Sequence, residues 1–402
     1  MTQIRKPSLT PKEAFDLHHE ALVIDAQQPP ATRGFLFTPT MKTKLAELSE
    51  KGYARTAASS ILAKMAANEI QKSDVAKKEY MDLWTRSGVT IASSCLMGPA
   101  PFDNAFEIAV DNISHARAYA NALPEHFEIV LTSNDIERVY KEGKRGVNLN
   151  FQDTTPFGSN LDRVDYFYNL GLRIVQLTYN LRNLVGDGCT ELYKTGLSYY
   201  GKALVERLND LGMIVDVSHS SQQVGWDALE TSRTPIMISH SSSNAVCYHD
   251  RGKDDDLAKA IADKGGFFGV VIVPGFVQDK KPIATLDDFA EHIMHLVNVM
   301  GIDHVGIGND ICGNGPETGD MFEYPDNMPA TIQYFKEHPD VFNWSGFRPE
   351  HRITDEYKLA DYKNFGDWPN LTVKLAEKGF NEEELRKLIG LNYLKYYKEV
   401  IG

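Results

Sequence analysis
Apolar residues in this chain alternate between short runs that read as strands and longer stretches with a helical period. Thr10-Pro-Lys-Glu13 opens the first helix, with threonine as N-cap, proline at the first helical position and glutamate at the capping-box place. Ala21 to Asp25 reads as a strand stopped by Pro29 and Pro30. Residues 42–86 are mostly amphipathic and helical, broken near Gly52. Further strands begin at Val89, Val147, Arg173, Met213, Pro235, Phe267 and His304. Helices are predicted over 104–123, 161–170, 201–211, 222–232, 254–264 and 286–300. Eight strands alternating with helices predict an α/β fold, a (β/α)8 TIM barrel. A doubly wound sheet is the alternative, but no glycine-rich phosphate turn follows the first strand. The aromatic-rich stretch 313–370 interrupts the rhythm and is expected to be a lid-like insertion or a segment packed on the barrel side; 381–400 holds a capped C-terminal helix. The chain, 1–402, is read as one barrel domain.

Two of these strands end on histidine. Met213 to His219 and Pro235 to His240 flank 222–232, the length of one helix, so they form a βαβ unit with parallel strands. Both carboxyl ends then lie on one side, and the two imidazoles can share a divalent metal. Either histidine alone is better read as a hydrogen-bonded strand end. The pair, each preceded by serine, points to a site. Asp310 ends the last strand, and Arg251 follows His240 by eleven residues. At a barrel mouth this set suits metal-assisted hydrolysis: the metal polarises an acyl oxygen, Asp310 moves protons and Arg251 holds a carboxylate. Helix capping by Asp310 and an ordinary ion pair for Arg251 are the bland alternatives.

Composition narrows the partners. The formal net charge is −13, from 42 basic and 55 acidic residues, which argues against nucleic acid and anionic membranes. Four scattered cysteines without a CxxC pair suggest reduced thiols. The N-terminus lacks the apolar core of a signal peptide and no 18-residue apolar run occurs, so a soluble, cytoplasmic chain is expected.

The segments Gly196-Leu-Ser, Gly201 to His219, Pro235 to Ser242, Gly301 to Asp310 and Gly390-Leu-Asn-Tyr-Leu-Lys395 resemble the renal (membrane) dipeptidase family, peptidase family M19. Weaker similarity covers Gly171-Leu-Arg and Leu177-Thr-Tyr-Asn180. The resemblance implies a metal-dependent hydrolase barrel, often a homodimer, with two zinc ions that hydrolyse dipeptides. It also implies roles residue by residue. His219 and His240 match the ligands of the second metal, Arg251 the carboxylate-binding arginine and Asp310 the catalytic aspartate. Elsewhere the chain departs. The His-x-Asp that ends the first strand in the family is here Gln27-Gln28-Pro29. The bridging glutamate is Gln152 and the substrate-binding histidine is Tyr179. Without those carboxylates nothing pairs with a second Zn²⁺, so at most one divalent metal, Zn²⁺, is expected on His219 and His240. Asp310 and Glu191 are candidate further ligands, and Asp187 and Cys189 lie in the same loop as Glu191; a glycine-rich structural turn is the alternative for that loop. Three functions stay open: a one-metal hydrolase of a dipeptide or similar small carboxylate-bearing amide, a metal-poor lyase or isomerase, and a non-catalytic ligand-binding protein.

Overall fold
Eight parallel strands follow one another around the sheet in chain order. They are β1 (Ile24–Gln28), β2 (Ile91–Met97), β3 (Arg145–Phe151), β4 (Leu172–Gln176), β5 (Ile214–Asp216), β6 (Met237–Ser241), β7 (Phe267–Val270) and β8 (Val305–Ile307). The computed structural model describes residues 6–28, 36–53, 55–98, 104–311, 343, 345–353 and 356–402. The predicted Pro29–Pro30 stop and most of the 313–370 insertion, 313–342 included, lie outside them. Every ladder is parallel. The short strand Phe127–Ile129 pairs beside β3, off the main path. No ladder joins β8 to β1 among the described residues; the seam is held instead by Asp310 N–H donating to Gln27 O at 3.0 Å.

The strand sequences explain both ends of the barrel. Side chains two apart share a strand face. Ile91 is followed by Ser93, Ile174 by Gln176, Ile214 by Asp216 and Met237 by Ser239. The early residue of each pair is apolar and joins one buried cluster with Phe267, Tyr393, Tyr396 and Tyr397. The three tyrosines come from the C-terminal helix Asn392–Val400, which plugs that end. The later residue is polar and buried, so the opposite, carboxyl end of the strands carries the hydrogen-bonding groups. A larger apolar cluster packs the outer strand face against the helices, as parallel sheets covered on both faces require.

The helices Ala105–Ala122, Gln222–Thr231, Asp255–Asp263 and Leu286–Met300 fall where the periodicity predicts them. The capping box at Thr10 forms, with the Glu13 carboxylate accepting from the Thr10 backbone at 2.7 Å. Two readings needed correction. Residues 42–86 form parts of three helices (Pro39–Glu50, Arg55–Glu69 and Asp74–Ser87), because Ser73 caps a new one as well as the break near Gly52. Neither His219 nor Asp310 ends its strand: β5 stops at Asp216 with the histidine in the turn beyond, and β8 stops at Ile307, three residues before the aspartate.

Candidate active site
His219 and His240 converge with their Nε2 atoms 2.9 Å apart, both buried. Each ring is fixed from behind. His219 Nδ1 lies 2.6 Å from Asn180 Oδ1, and the Asn180 amide nitrogen donates to Ser345 O at 2.7 Å. That orientation makes Nδ1 the donor and leaves the His219 lone pair on Nε2. His240 Nδ1 lies 2.7 Å from Ser239 Oγ, whose own proton goes to Asp216 Oδ2. His240 therefore also donates from Nδ1. The two serines that precede the histidines in sequence meet here, since Ser218 Oγ donates to the same Asp216 carboxylate at 2.5 Å.

Burial, then the nearby Arg251 cation, hold both imidazoles well below the ordinary histidine pKa. Two neutral rings present converging lone pairs, which repel unless a cation binds both. The pair thus fits one divalent ion, with the orienting partners such ligands need. Asp310 Oδ2 is 3.9 Å from His240 Nε2. Burial raises the Asp310 carboxyl to about 7, against the lowering pull of Arg251. Its backbone is left-handed, with φ of 59°, a conformation non-glycine residues rarely adopt outside constrained sites. Among the described residues, no group of three His, Cys, Asp or Glu side chains forms a ready metal cluster.

The position that the resemblance gives to a more buried metal does not fit a cation. Gln152 points its amide nitrogen at His240 Nε2, 3.2 Å away, while Cys95 Sγ donates to its oxygen at 3.1 Å. Gln27 accepts through its oxygen from Asn150 Nδ2 at 3.0 Å. Neither amide carries charge, and both are held oxygen-first by other residues. Pro29 lies outside the described residues.

Arg251 is fully buried. Its Nη1 donates to Ser218 O at 2.6 Å and its Nη2 to His240 O at 2.9 Å, and its guanidinium lies 5.5 Å from the centre of the Phe276 ring. Tyr179 stacks on His219, ring centroids 4.0 Å apart, and meets Phe347 edge-on. Thus His219, His240, Gln152 and Asp310 come together, with Tyr179 over His219 and Arg251 beneath.

The loop of Asp187, Cys189 and Glu191 is turned to structural use. Asp187 accepts from Arg182 Nε and from the Thr195 hydroxyl, and Glu191 accepts from Arg182 N–H at 2.7 Å. Cys189 Sγ bonds Asn180 Oδ1 at 3.2 Å. Sequence reasoning missed Asp216, Cys95 and Lys253. Asp216 could have been found from its spacing on the face of β5 that leads to the mouth; nothing in the local sequence marks the other two.

Comparison with known proteins identifies the family and the fold. A family model described as membrane dipeptidase (peptidase family M19) matches residues 18–334. The chain is 26% identical over 278 residues to Dipeptidase tcpJ of Claviceps purpurea, covering 69% of this chain and 56% of that protein. It is 35% identical over 203 residues to an uncharacterized dipeptidase of Schizosaccharomyces pombe, 48% of each chain. The chain spans about half the length of the curated relatives it matches. Among solved structures, an amidohydrolase from Pseudomonas aeruginosa superposes with a TM-score of 0.72 at 25% identity, covering 98% of this chain and 100% of that one. The probable dipeptidase PvdM from the same organism, at 20% identity and a TM-score of 0.70 over 97% and 98% of the two chains, shares the fold. With a family match over most of its length and a paired-histidine mouth on the expected barrel, the chain belongs to the membrane dipeptidase family, peptidase family M19.

Proposed function
We propose that this chain is a divergent hydrolase of its family that cleaves a dipeptide, or another small amide bearing a carboxylate, with at most one divalent metal. The observation that carries this reading is the pair of Nε2 lone pairs facing each other at 2.9 Å beside Asp310. His219 and His240 would hold the ion, expected to be Zn²⁺. When bound, it supplies a Lewis acid that polarises the acyl oxygen and lowers the pKa of water.

The chain's own residues do the rest. Asp310, with its carboxyl near neutrality, removes a proton from the attacking water and returns it to the departing amine. Arg251 anchors the substrate carboxylate with the N–H groups it does not give to backbone carbonyls. Gln152 offers its amide to the substrate from the same side as His240. Tyr179 shields His219 and, with Phe347, narrows the mouth to water. We read the chain as one barrel domain, with 313–370 an insertion at the mouth, acting as a homodimer.

Elemental analysis of protein purified without added metal, paired with hydrolysis of a dipeptide panel, tests this. We expect no more than one metal per chain and hydrolysis that a chelator abolishes. Two zinc ions per chain would overturn the one-metal reading. Failure to cleave any dipeptide or N-acyl amino acid, metal added, would overturn the hydrolase reading.

A further inference from the structure
We propose that the place of the family's more buried metal has become a seat for an anionic oxygen, such as a carboxylate, held by amide N–H groups. The proposal rests on the family reading for its location alone. The direction of each amide carries it. Asn150 Nδ2 donates to Ser93 Oγ at 2.7 Å and to Gln27 Oε1 at 3.0 Å, so Gln27 is turned with its oxygen occupied and its nitrogen free. Gln27 is 1% exposed, and its Nε2 has no hydrogen-bond partner among the described residues. A buried N–H without an acceptor costs free energy, and few persist in native proteins.

Gln152 is set the same way by a different residue. Cys95 Sγ donates to its oxygen, which sends its nitrogen toward the histidines. Gln152 follows the last residue of β3, two positions beyond Asn150. A third donor, Arg251 Nε, is also buried and without a partner among the described residues.

Charge points the same way. Arg251 and Lys253 are both buried, 0% and 1% exposed, and both donate to backbone carbonyls around His219: Arg251 to Ser218 O and Lys253 to Ser220 O. Neither forms an ion pair among the described residues. A carboxylate or imidazole at positions 27 and 152 would present lone pairs to a cation. Amides fixed oxygen-first present hydrogens, and the buried Arg251 guanidinium, bonded to the His240 carbonyl, favours an anion. The polarity of the seat is inverted relative to a metal site. If the site as a whole takes a carboxylate on Arg251, this seat adds a second set of donors, and it favours substrates with a second acidic group.

The test uses bromide and formate on the full chain. Crystals soaked in sodium bromide are expected to show an anomalous peak within hydrogen-bond reach of Gln27 Nε2. In Gln27→Glu that peak should vanish, and formate binding should weaken at least tenfold by calorimetry. Gln27→Met, which removes the donor without adding charge, should also lose the peak and serves if the glutamate variant does not fold. No bromide at Gln27 in wild type, bromide at Arg251 alone, a peak unmoved by either substitution, or a zinc peak at Gln27 would each overturn the seat. Dipeptide hydrolysis by the same wild-type protein separates the two readings: hydrolysis without bromide at Gln27 rejects the seat alone, and bromide there without hydrolysis rejects the hydrolase alone.

Discussion
Arg251 carries two duties that lysine cannot combine. Its planar fork reaches Ser218 O and His240 O at once and still has N–H groups to spare, whereas an ammonium is a single point donor. Arg251→Lys is therefore expected to weaken binding of carboxylate ligands at least about tenfold, about 1.4 kcal/mol. Calorimetry with dipeptides and N-acyl amino acids reads this out, and unchanged affinity for every carboxylate that binds wild type would refute it. Asp310 gives a second expectation. Its carboxyl is raised to about 7, chiefly by burial, and the base needs the ionised form. The wild-type kcat/KM should rise with pH through about 7. In Asp310→Asn the rate should fall by about 10² to 10⁴ and that limb should disappear. A variant keeping the same limb would assign the titration to another group. His219, His240, Arg251 and Asp310 could be named from sequence because each is a ligating or charged type in or just after a strand, or in the loop that follows one. Asp216 and Ser239 were harder to see, since their work is to orient another side chain and depends on contacts between strands.

At the scale of elements, strand order was legible because buried parallel strands and amphipathic helices have different periods and alternate cleanly here. Strand ends were not legible to the residue. Met213 to His219 is one apolar run, but after Asp216 the chain turns so that Ser218 can reach the Asp216 carboxylate, and this side-chain bond competes with the ladder. The long run 42–86 is ambiguous for a similar reason: one helical period continues across Ser73, and only its hydroxyl accepting from Ala76 N–H at 3.2 Å marks the restart. Strand packing also yields a prediction. A Cβ on Gly308 would stand 2.0 Å from Ser239 O and 3.2 Å from His240 Cβ, so the backbone just past β8 lies hard against β6. Gly308→Ala is expected to cost more than about 2 kcal/mol in chemical unfolding and to push His240 off its partner. An unfolding midpoint equal to wild type would show that the strands part without cost.

Taken whole, the molecule keeps the family's barrel, and the departure we propose lies in the charge at its mouth. Gln152, neutral, lies 3.2 Å from His240, one of two imidazoles that burial and the Arg251 cation hold neutral. The triple change Gln27→His, Pro29→Asp, Gln152→Glu would return a ligand set with two carboxylates to that mouth. Without metal the new carboxylates lose the bonds that now fix the amides, since Asn150 Nδ2 and Cys95 Sγ hold their oxygens in place, and the charges repel one another. The apo variant should therefore be less stable than wild type. Zinc should reverse this by mass action, by about 2.7 kcal/mol at a hundredfold excess over Kd. Dipeptide hydrolysis need not appear with it, because Tyr179 still stands over His219 in place of a histidine. Thermal melts of wild type and variant across a zinc titration decide the matter. The variant's midpoint should climb well beyond the wild type's. Equal shifts in both would mean that positions 27, 29 and 152 are not a vacated metal site, and the one-metal reading would lose its basis.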